Sequence, residues 1–167
     1  MPEKETIFSS KVEYSGIFSF KEFYKFCYQW LKEETGLDLG EVKYEEKILG
    51  EAKKILVKWK GEKKVTDYFK YEVEIEFKID NLTNVEIAQG GAKITTNKGT
   101  VSVAVKGDLV RDYQGKFELT AFKKFLRSIY EKWVIPASVE EYKGKLAGDC
   151  DEFLGQAKAY LDLEGKK

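Results

Sequence analysis

The sequence contains no histidine. That absence excludes acid–base catalysis by imidazole, zinc sites built on histidine, and the Ser-His-Asp triad. Cysteine is nearly absent as well, since only Cys27 and Cys150 occur and they form no CxxC pair. We interpret both as small buried hydrophobes, and not as a disulfide or as reactive thiols. So few cysteines also favour a reducing compartment.

The chain also lacks an excess of charge of either sign and a long apolar run. Its 29 basic and 29 acidic residues give a net charge of zero, whereas a nucleic-acid-binding protein normally has a basic excess. No stretch approaches the roughly 18 apolar residues of a membrane span, and the start MPEKETIF does not have the pattern of a signal peptide. We therefore expect a cytoplasmic protein without a membrane span or a nucleic-acid partner. Its abundant Lys and Glu are typical of thermophile composition.

What the sequence does contain is regular apolar periodicity, and 14% of its residues are aromatic. The segment Phe20–Glu34 is typical of an amphipathic helix, because its apolar residues fall on one face at about 100° per residue. Ser19 and Glu22 have the spacing of a capping box at its start. Gly36 predicts its end, since glycine readily adopts the left-handed conformation that closes helices.

Alternation of apolar and polar residues predicts a series of antiparallel strands. The first covers Lys11–Phe18, and the others follow the helix. The longest, Val65–Ile79, has apolar residues at odd positions and mainly charged ones at even positions, so its odd-numbered side should face a core. We expect turns or bulges between strands at Gly50-Glu51, Gly61-Glu62, Gly90-Gly91, Asn97-Lys98-Gly99 and Gly107-Asp108.

The last third of the sequence predicts helices. Apolar residues recur every three or four positions over Phe122–Trp133, and Pro136 should end or kink that helix. A second capping box at Ser138–Glu141 predicts a new start, and a second apolar face covers about Val139–Leu163. We therefore predict one α+β domain over residues 1–167. It has a six- to seven-stranded antiparallel sheet, with the N-terminal helix and the C-terminal helices packed on one face.

No residues stand out as catalytic, and we expect no cofactor. The carboxylates Asp149, Asp151 and Glu152 are of the type that binds Mg²⁺ or Ca²⁺. They are spread around a helix, however, so we interpret them as a solvated face and expect no metal site. The aromatic residues between sheet and helices are the stronger clue, because they either pack solid or line a cavity for an apolar ligand. The expected ligand-binding residues are Tyr24, Cys27, Trp30, Trp59, Tyr71, Val73 and Trp133.

Three glycines of the last helix, Gly144, Gly148 and Gly155, project within about 40° of one another, nearly opposite its apolar face. Each costs roughly 0.5–1 kcal/mol against alanine in a helix. One interpretation of this glycine stripe is a weak or broken helix. The other is the close approach of another backbone, which would make the stripe an interface with a protein partner or with a second copy.

The order of elements resembles the helix-grip arrangement of the START/Bet v 1-like superfamily over about residues 10–163. That order is a strand, the helix Phe20–Glu34, a run of antiparallel strands and a long C-terminal helix. In that superfamily a curved sheet wraps the C-terminal helix around a hydrophobic cavity. The resemblance implies that the protein binds a lipid or another apolar ligand, and it assigns no role to any single residue.

Two functional hypotheses follow from these observations. The first is a non-enzymatic binding protein for a lipid or other apolar small molecule, held between the sheet and the C-terminal helix. The second is a protein-interaction or scaffold module with a solid core. A continuous apolar cavity behind Val65–Ile79 would favour the first hypothesis, and a filled interior would favour the second.

Overall fold

The computed structural model describes residues 3–111 and 136–165, together with Phe125 and Ile129. These residues form five strands and two α-helices, the first of which continues into a short π-helical turn. The elements are β1 (Glu3–Phe18), α1 (Phe20–Trp30), the π-helical turn (Leu31–Thr35), β2 (Asp38–Leu49), β3 (Ala52–Lys64), β4 (Phe69–Gln89), β5 (Ala92–Arg111) and α2 (Pro136–Glu164). The α+β class is confirmed, but the sheet has five strands where six or seven were predicted.

The five strands form one antiparallel sheet in the order β1-β5-β4-β3-β2. Only the connection from β1 to β2 crosses the sheet, and α1 lies on that crossover. The other neighbours in the chain are also neighbours in space, as short hairpin connections require. In the part of the chain that the structure describes, β1 and β2 are therefore the two edge strands.

The helices cover one side of the sheet, which we call the inner face. Odd-numbered residues of β4 from Phe69 to Ile79 point to this face and are buried. Phe23 of α1 meets Phe77 of β4 edge to face, with ring centroids 6.0 Å apart. The prediction that the odd-numbered side of the long strand faces a core is therefore confirmed. The opposite side, the outer face, carries charged residues and meets water.

The capping prediction for α1 is confirmed by its geometry. Ser19 has an extended backbone and its hydroxyl accepts a hydrogen bond from the Glu22 amide at 3.3 Å. Gly36 closes the π-helical turn with φ of 71° in the left-handed region, where glycine carries no steric cost. These local signals hold the helix at a fixed angle to the end of β1, so that its apolar side meets the sheet.

Several predicted strand boundaries are wrong. Gly61-Glu62 lies inside β3 and Asn97-Lys98-Gly99 lies inside β5. The reason is close packing: a Cβ on Gly61 would come 2.9 Å from Leu39 Cδ2, and one on Gly99 would come 3.0 Å from the Asp80 carbonyl oxygen. These glycines mark crowded points in continuous strands. By contrast, the turns at Gly50-Glu51 and Gly90-Gly91 are confirmed, since all three glycines have positive φ.

Two strand starts and one bulge also lie at other positions than the sequence predicted. β1 begins at Glu3 and not at Lys11. β4 begins at Phe69, because Val65 donates its amide to the Phe69 carbonyl oxygen at 3.0 Å and so closes a turn. The bulge expected at Gly107-Asp108 lies on the neighbouring strand instead, where Ile7 is the extra residue of β1 opposite that pair.

Helix α2 begins at Pro136, so Ser138 lies inside it and the predicted second capping box is wrong. Proline suits the first helical position, because its missing N–H would have no partner there and its φ is already helical. The predicted apolar face is confirmed, with Leu146, Cys150 and Phe153 buried against the sheet. The helix predicted over Phe122–Trp133 lies outside the described residues except for Phe125 and Ile129, which are helical and exposed.

Beyond the limits of β1 and β3, strands β4 and β5 continue as a two-stranded arm over about Thr83–Asn97. One extra residue in β4 near Asn81, whose φ is 55°, precedes the arm and reverses the alternation of faces. As a result Val85 and Ile87 point to the outer face, while Asn84 and Asn97 point inward. The inward pair is joined by a hydrogen bond of 3.0 Å from Asn97 Nδ2 to Asn84 Oδ1.

Candidate functional site

The structure places six of the seven residues predicted to bind an apolar ligand in or against the core between sheet and helices. Cys27, Trp59, Tyr71 and Val73 are buried, and Tyr24 and Trp30 are half-buried at the margin. Trp133 lies outside the described residues. The prediction that these side chains face the same interior therefore agrees with their positions, while ligand binding itself stays a prediction.

Among the described residues, the aromatic side chains of this interior pack on one another. Trp59 meets the Phe77 ring at 4.8 Å and the Tyr24 ring at 5.1 Å between centroids, both edge to face. Trp30 of α1 packs on Phe153 of α2 at 5.8 Å. Such pairs contribute about 0.5–1.5 kcal/mol each beyond their burial. Aromatic contacts therefore join the two helices and the sheet directly.

The space that remains between sheet and α2 in the described residues is small. A cavity of about 10 Å³ lies between Tyr71 and Val73 of β4 and Leu146, Cys150 and Phe153 of α2. That volume has room for about one water molecule, whereas pockets for drug-sized ligands have about 300–1,000 Å³. Tyr71 donates its hydroxyl to the Tyr142 carbonyl oxygen at 2.8 Å beside it, and this bond ties β4 to α2.

The two cysteines are buried and free, as the sequence predicted. Burial raises the pKa of Cys27 well above its usual value, and burial together with the charge of Asp149 raises the pKa of Cys150 to about 12. Both side chains are therefore neutral thiols at pH 7. They act as apolar packing groups, because a thiol needs its anionic form to react readily.

In the described ranges, no group of three or more acidic or cysteine side chains is arranged to hold a metal ion. Asp149 pairs with Lys145 at 3.5 Å, and Asp151 and Glu152 are exposed on α2. None of the helices described is long and apolar enough to cross a membrane.

The outer face holds two buried carboxylates, Glu72 of β4 and Asp108 of β5, which lie directly opposite each other in the sheet. Glu72 of β4 is 7% exposed and lies among three lysines, at 2.8 Å from Lys4, 3.4 Å from Lys70 and 3.9 Å from Lys60. Burial opposes ionisation of Glu72, but the hydrogen bond and charge of Lys4, followed by the charges of Lys60 and Lys70, lower its pKa below the usual value. This network joins β1, β3 and β4.

A surface that was not predicted from the sequence lies along β2, which pairs only with β3 in the described part of the chain. Four of its apolar side chains are exposed to solvent: Val42 (66%), Tyr44 (45%), Ile48 (71%) and Leu49 (63%). Isolated exposed apolar residues are ordinary, but four within eight residues of one edge strand are not. We call the segment Val42–Leu49 the β2 edge. The alternation of Val42, Tyr44 and Ile48 with charged residues had predicted a strand here, and the strand is confirmed.

The backbone of the β2 edge is open for further pairing. The hairpin between β2 and β3 has two loop residues, Gly50 and Glu51, and only Gly50 has a positive φ. In a two-residue hairpin the flanking residues, here Leu49 and Ala52, form a hydrogen-bonded pair. In an antiparallel ladder every second residue bonds to the neighbouring strand. Tyr44, Glu46 and Ile48 therefore direct their N–H and C=O groups away from β3.

One end of the β2 edge is closed by a bulge and by its link to α1. Val42 is an extra residue relative to β3, and bulges commonly end regular pairing at sheet edges. Just before it, Glu41 accepts a hydrogen bond of 2.6 Å from the Tyr24 hydroxyl. Burial and then this bond raise the pKa of Tyr24 to about 12. The open, regular part of the strand is therefore Lys43–Leu49.

The predicted glycine stripe on α2 is also at the surface. Gly144, Gly148 and Gly155 are exposed, and no atom of the described chain lies within 4 Å of where a Cβ would stand. The helix is continuous through all three, so the interpretation that it breaks there is wrong. Their role as an interface stays a prediction.

Over the residues that the structure describes, these features define an α+β fold with an antiparallel sheet, a closely packed inner face and an edge strand with exposed apolar side chains. No protein-family model, curated protein or solved structure matches the chain. The resemblance to the START/Bet v 1-like superfamily therefore stays a prediction, and a functional assignment depends on the geometry alone.

Proposed function

We propose that this protein is an interaction module that binds an extended segment of a protein partner along its β2 edge. The observation that carries the proposal is the coincidence, on one strand, of unpaired main-chain groups and exposed apolar side chains. An added strand would accept and donate hydrogen bonds at Tyr44, Glu46 and Ile48. This is strand addition, in which the main chain supplies affinity and alternate side chains supply specificity.

The chemistry of the two faces predicts what such a segment contains. Tyr44 and Ile48 lie on the inner side of β2, opposite Val57 and Lys53 of β3. Lys43, Glu45 and Lys47 lie on the outer side. A matching segment has apolar residues at every second position and charged residues of both signs between them, because cross-strand pairs form between residues on the same face.

The close aromatic packing of the inner face supports this proposal, since binding at the edge adds contacts without displacing that packing. A direct test is selection of displayed ten-residue peptides against the purified protein, followed by nuclear magnetic resonance titration. We expect micromolar peptides that shift the amide signals of Tyr44, Glu46 and Ile48. Substitution Glu46→Pro removes an outward N–H without removing a bond to β3, so it should abolish binding while the protein stays folded. Peptides whose signals map elsewhere would contradict the proposal.

The apolar-ligand hypothesis is the second candidate, and its support is the number of large aromatic side chains gathered between sheet and helices. A ligand of ordinary size would have to displace part of that packing, because the space beside Tyr71 and Cys150 holds about one water molecule. Titration of the delipidated protein with a fluorescent lipid analogue tests it. Saturable binding, reduced by Val73→Trp, would support this candidate over strand addition, and absence of saturation would remove it.

A further inference from the structure

The β2 edge is complementary to itself. Resting on the function proposed above, we propose that the partner is a second copy of this chain, paired antiparallel along β2 about a two-fold axis at Glu46. Two five-stranded sheets would then form one continuous sheet across the axis.

The geometry of an antiparallel pair limits where the axis can lie. Residues directly opposite one another share a face of the sheet. One residue must therefore lie opposite its own copy at the axis, because an axis between two successive residues would set an inner residue opposite an outer one. An axis at Glu45 would set that carboxylate against itself and Lys43 against the partner's Lys47. An axis at Lys47 would set its ammonium against itself. Like charges directly opposite one another destabilise a sheet, and both registers are disfavoured.

An axis at Tyr44 removes this repulsion but shortens the contact. It pairs Lys43 with the partner's Glu45, and the next position is then the bulge at Val42. Only three residues of each strand would pair regularly. It also leaves Ile48 and Leu49, the two exposed side chains near the turn, without an apolar neighbour on the other copy.

An axis at Glu46 uses the whole regular segment. On the inner side Tyr44 faces the partner's Ile48, and by symmetry the same pair forms again across the axis. On the outer side Glu45 faces the partner's Lys47, also twice. Lys43 lies opposite the partner's Leu49 and covers it with the aliphatic part of its side chain. This register therefore joins apolar to apolar at Tyr44 and Ile48, and acid to base at Glu45 and Lys47.

The main-chain groups agree with the same register. Tyr44 and Ile48 both direct their N–H and C=O groups outward, and this axis sets them opposite one another. Glu46, which also directs its groups outward, pairs with its own copy. Every outward N–H and C=O of the segment therefore meets a complementary group of the partner.

The position on the axis carries one unfavourable contact, because two Glu46 carboxylates face each other. Lys53 lies 3.1 Å from Glu46 in each copy and offsets much of that charge. The contact covers one strand and its side chains, which is less than the roughly 800 Å² per partner of a standard interface. We therefore expect a weak, reversible dimer with a dissociation constant in the micromolar range.

Sedimentation velocity between about 1 μM and 1 mM tests the proposal in the wild-type chain. A charge reversal tests the register. Lys47→Glu places a carboxylate opposite Glu45 at two symmetry-related positions and should weaken the dimer about tenfold. The double variant E45K/K47E restores opposite charges at both positions and should dimerise as the wild type does. Lys93→Glu makes the same change of charge on β5, away from β2, and serves as the control.

Each outcome decides a different point. A chain that stays monomeric up to about 1 mM, while selected peptides still bind at β2, overturns the second copy as partner and leaves strand addition standing. A dimer that is insensitive to Lys47→Glu, or that E45K/K47E does not restore, overturns the register and with it the axis at Glu46. Absence of both dimer and peptide binding overturns both proposals.

Discussion

Gly107 of β5 lies directly beneath α2, and we expect Gly107→Ala to destabilise the protein. A Cβ at this position would stand 2.9 Å from Cys150 Sγ and 3.4 Å from Leu146 Cγ. Both neighbours are buried, so the helix must shift to make room. Overpacking of this kind costs about 1–3 kcal/mol. Alanine ordinarily stabilises a strand relative to glycine by a few tenths up to about 1 kcal/mol. A lower free energy of unfolding in Gly107→Ala would therefore come from the steric effect.

A double-mutant cycle measures that effect. Cys150→Ala removes the sulfur and should cost about 1 kcal/mol by itself, since it deletes one buried atom. In the double variant the two changes compensate. Its loss of unfolding free energy should therefore be smaller than the sum of the two single losses, by about 1 kcal/mol or more. Urea denaturation followed by far-UV circular dichroism gives all four values.

The control is Gly155→Ala on the exposed side of α2, which should not lower stability because open space surrounds that position. If Gly107→Ala unfolds at the same urea concentration as the wild type, or if the two costs simply add, α2 does not press on β5. The space beside Cys150 would then admit a methyl group without a shift of the helix, which is a small part of the volume that an apolar ligand requires. The experiment therefore also bears on the choice between the two functional candidates.

Three further predictions concern the surface. Gly148→Ala should raise the free energy of unfolding by about 0.5–1 kcal/mol, and a loss of association measured by light scattering would instead favour the glycine stripe as an interface. Glu72→Gln should cost about 1–2 kcal/mol at pH 7. Because folding lowers the pKa of Glu72, the difference in free energy of unfolding between the wild type and this variant should shrink as the pH falls below about 4 and through the folded pKa. If urea titrations give the same difference at every pH, the charge of Glu72 is not its cause. Glu46→Gln removes the like charge on the proposed axis and should tighten the dimer several-fold by sedimentation, so an unchanged dissociation constant would count against that axis.

The elements that could be predicted from sequence are those set by local chemistry. Ser19 and Gly36 bracket α1 because a hydroxyl cap and a left-handed glycine act within a few residues. Period-two alternation predicted the buried side of β4 for the same reason. The glycines at 61 and 99 were assigned wrongly, because a glycine that opens a turn and one that permits a close tertiary contact look alike in a sequence.

The candidate site was less accessible to prediction. Val42, Tyr44 and Ile48 have the alternation of a buried strand, and only the order of strands in the sheet reveals that β2 is an edge strand among the described residues. That order is a tertiary property, set by the crossover through α1. No residue type at or near Val42 indicates the bulge either. The self-complementarity of Lys43–Leu49 becomes visible once the strand is known to be an edge.

The two-stranded arm of β4 and β5 has a consequence for experiments on this chain. Among the described strands, residues Val85–Thr96 of this arm pair only with each other. Their amides should therefore exchange with solvent long before those of Phe77 or Val103 in the five-stranded region. The arm can therefore open while the rest of the sheet stays closed. Its tip at Gly90-Gly91 is a suitable place to insert a tag or to attach a fluorophore, because no atom of the described chain lies within 4 Å of where a Cβ would stand at either glycine.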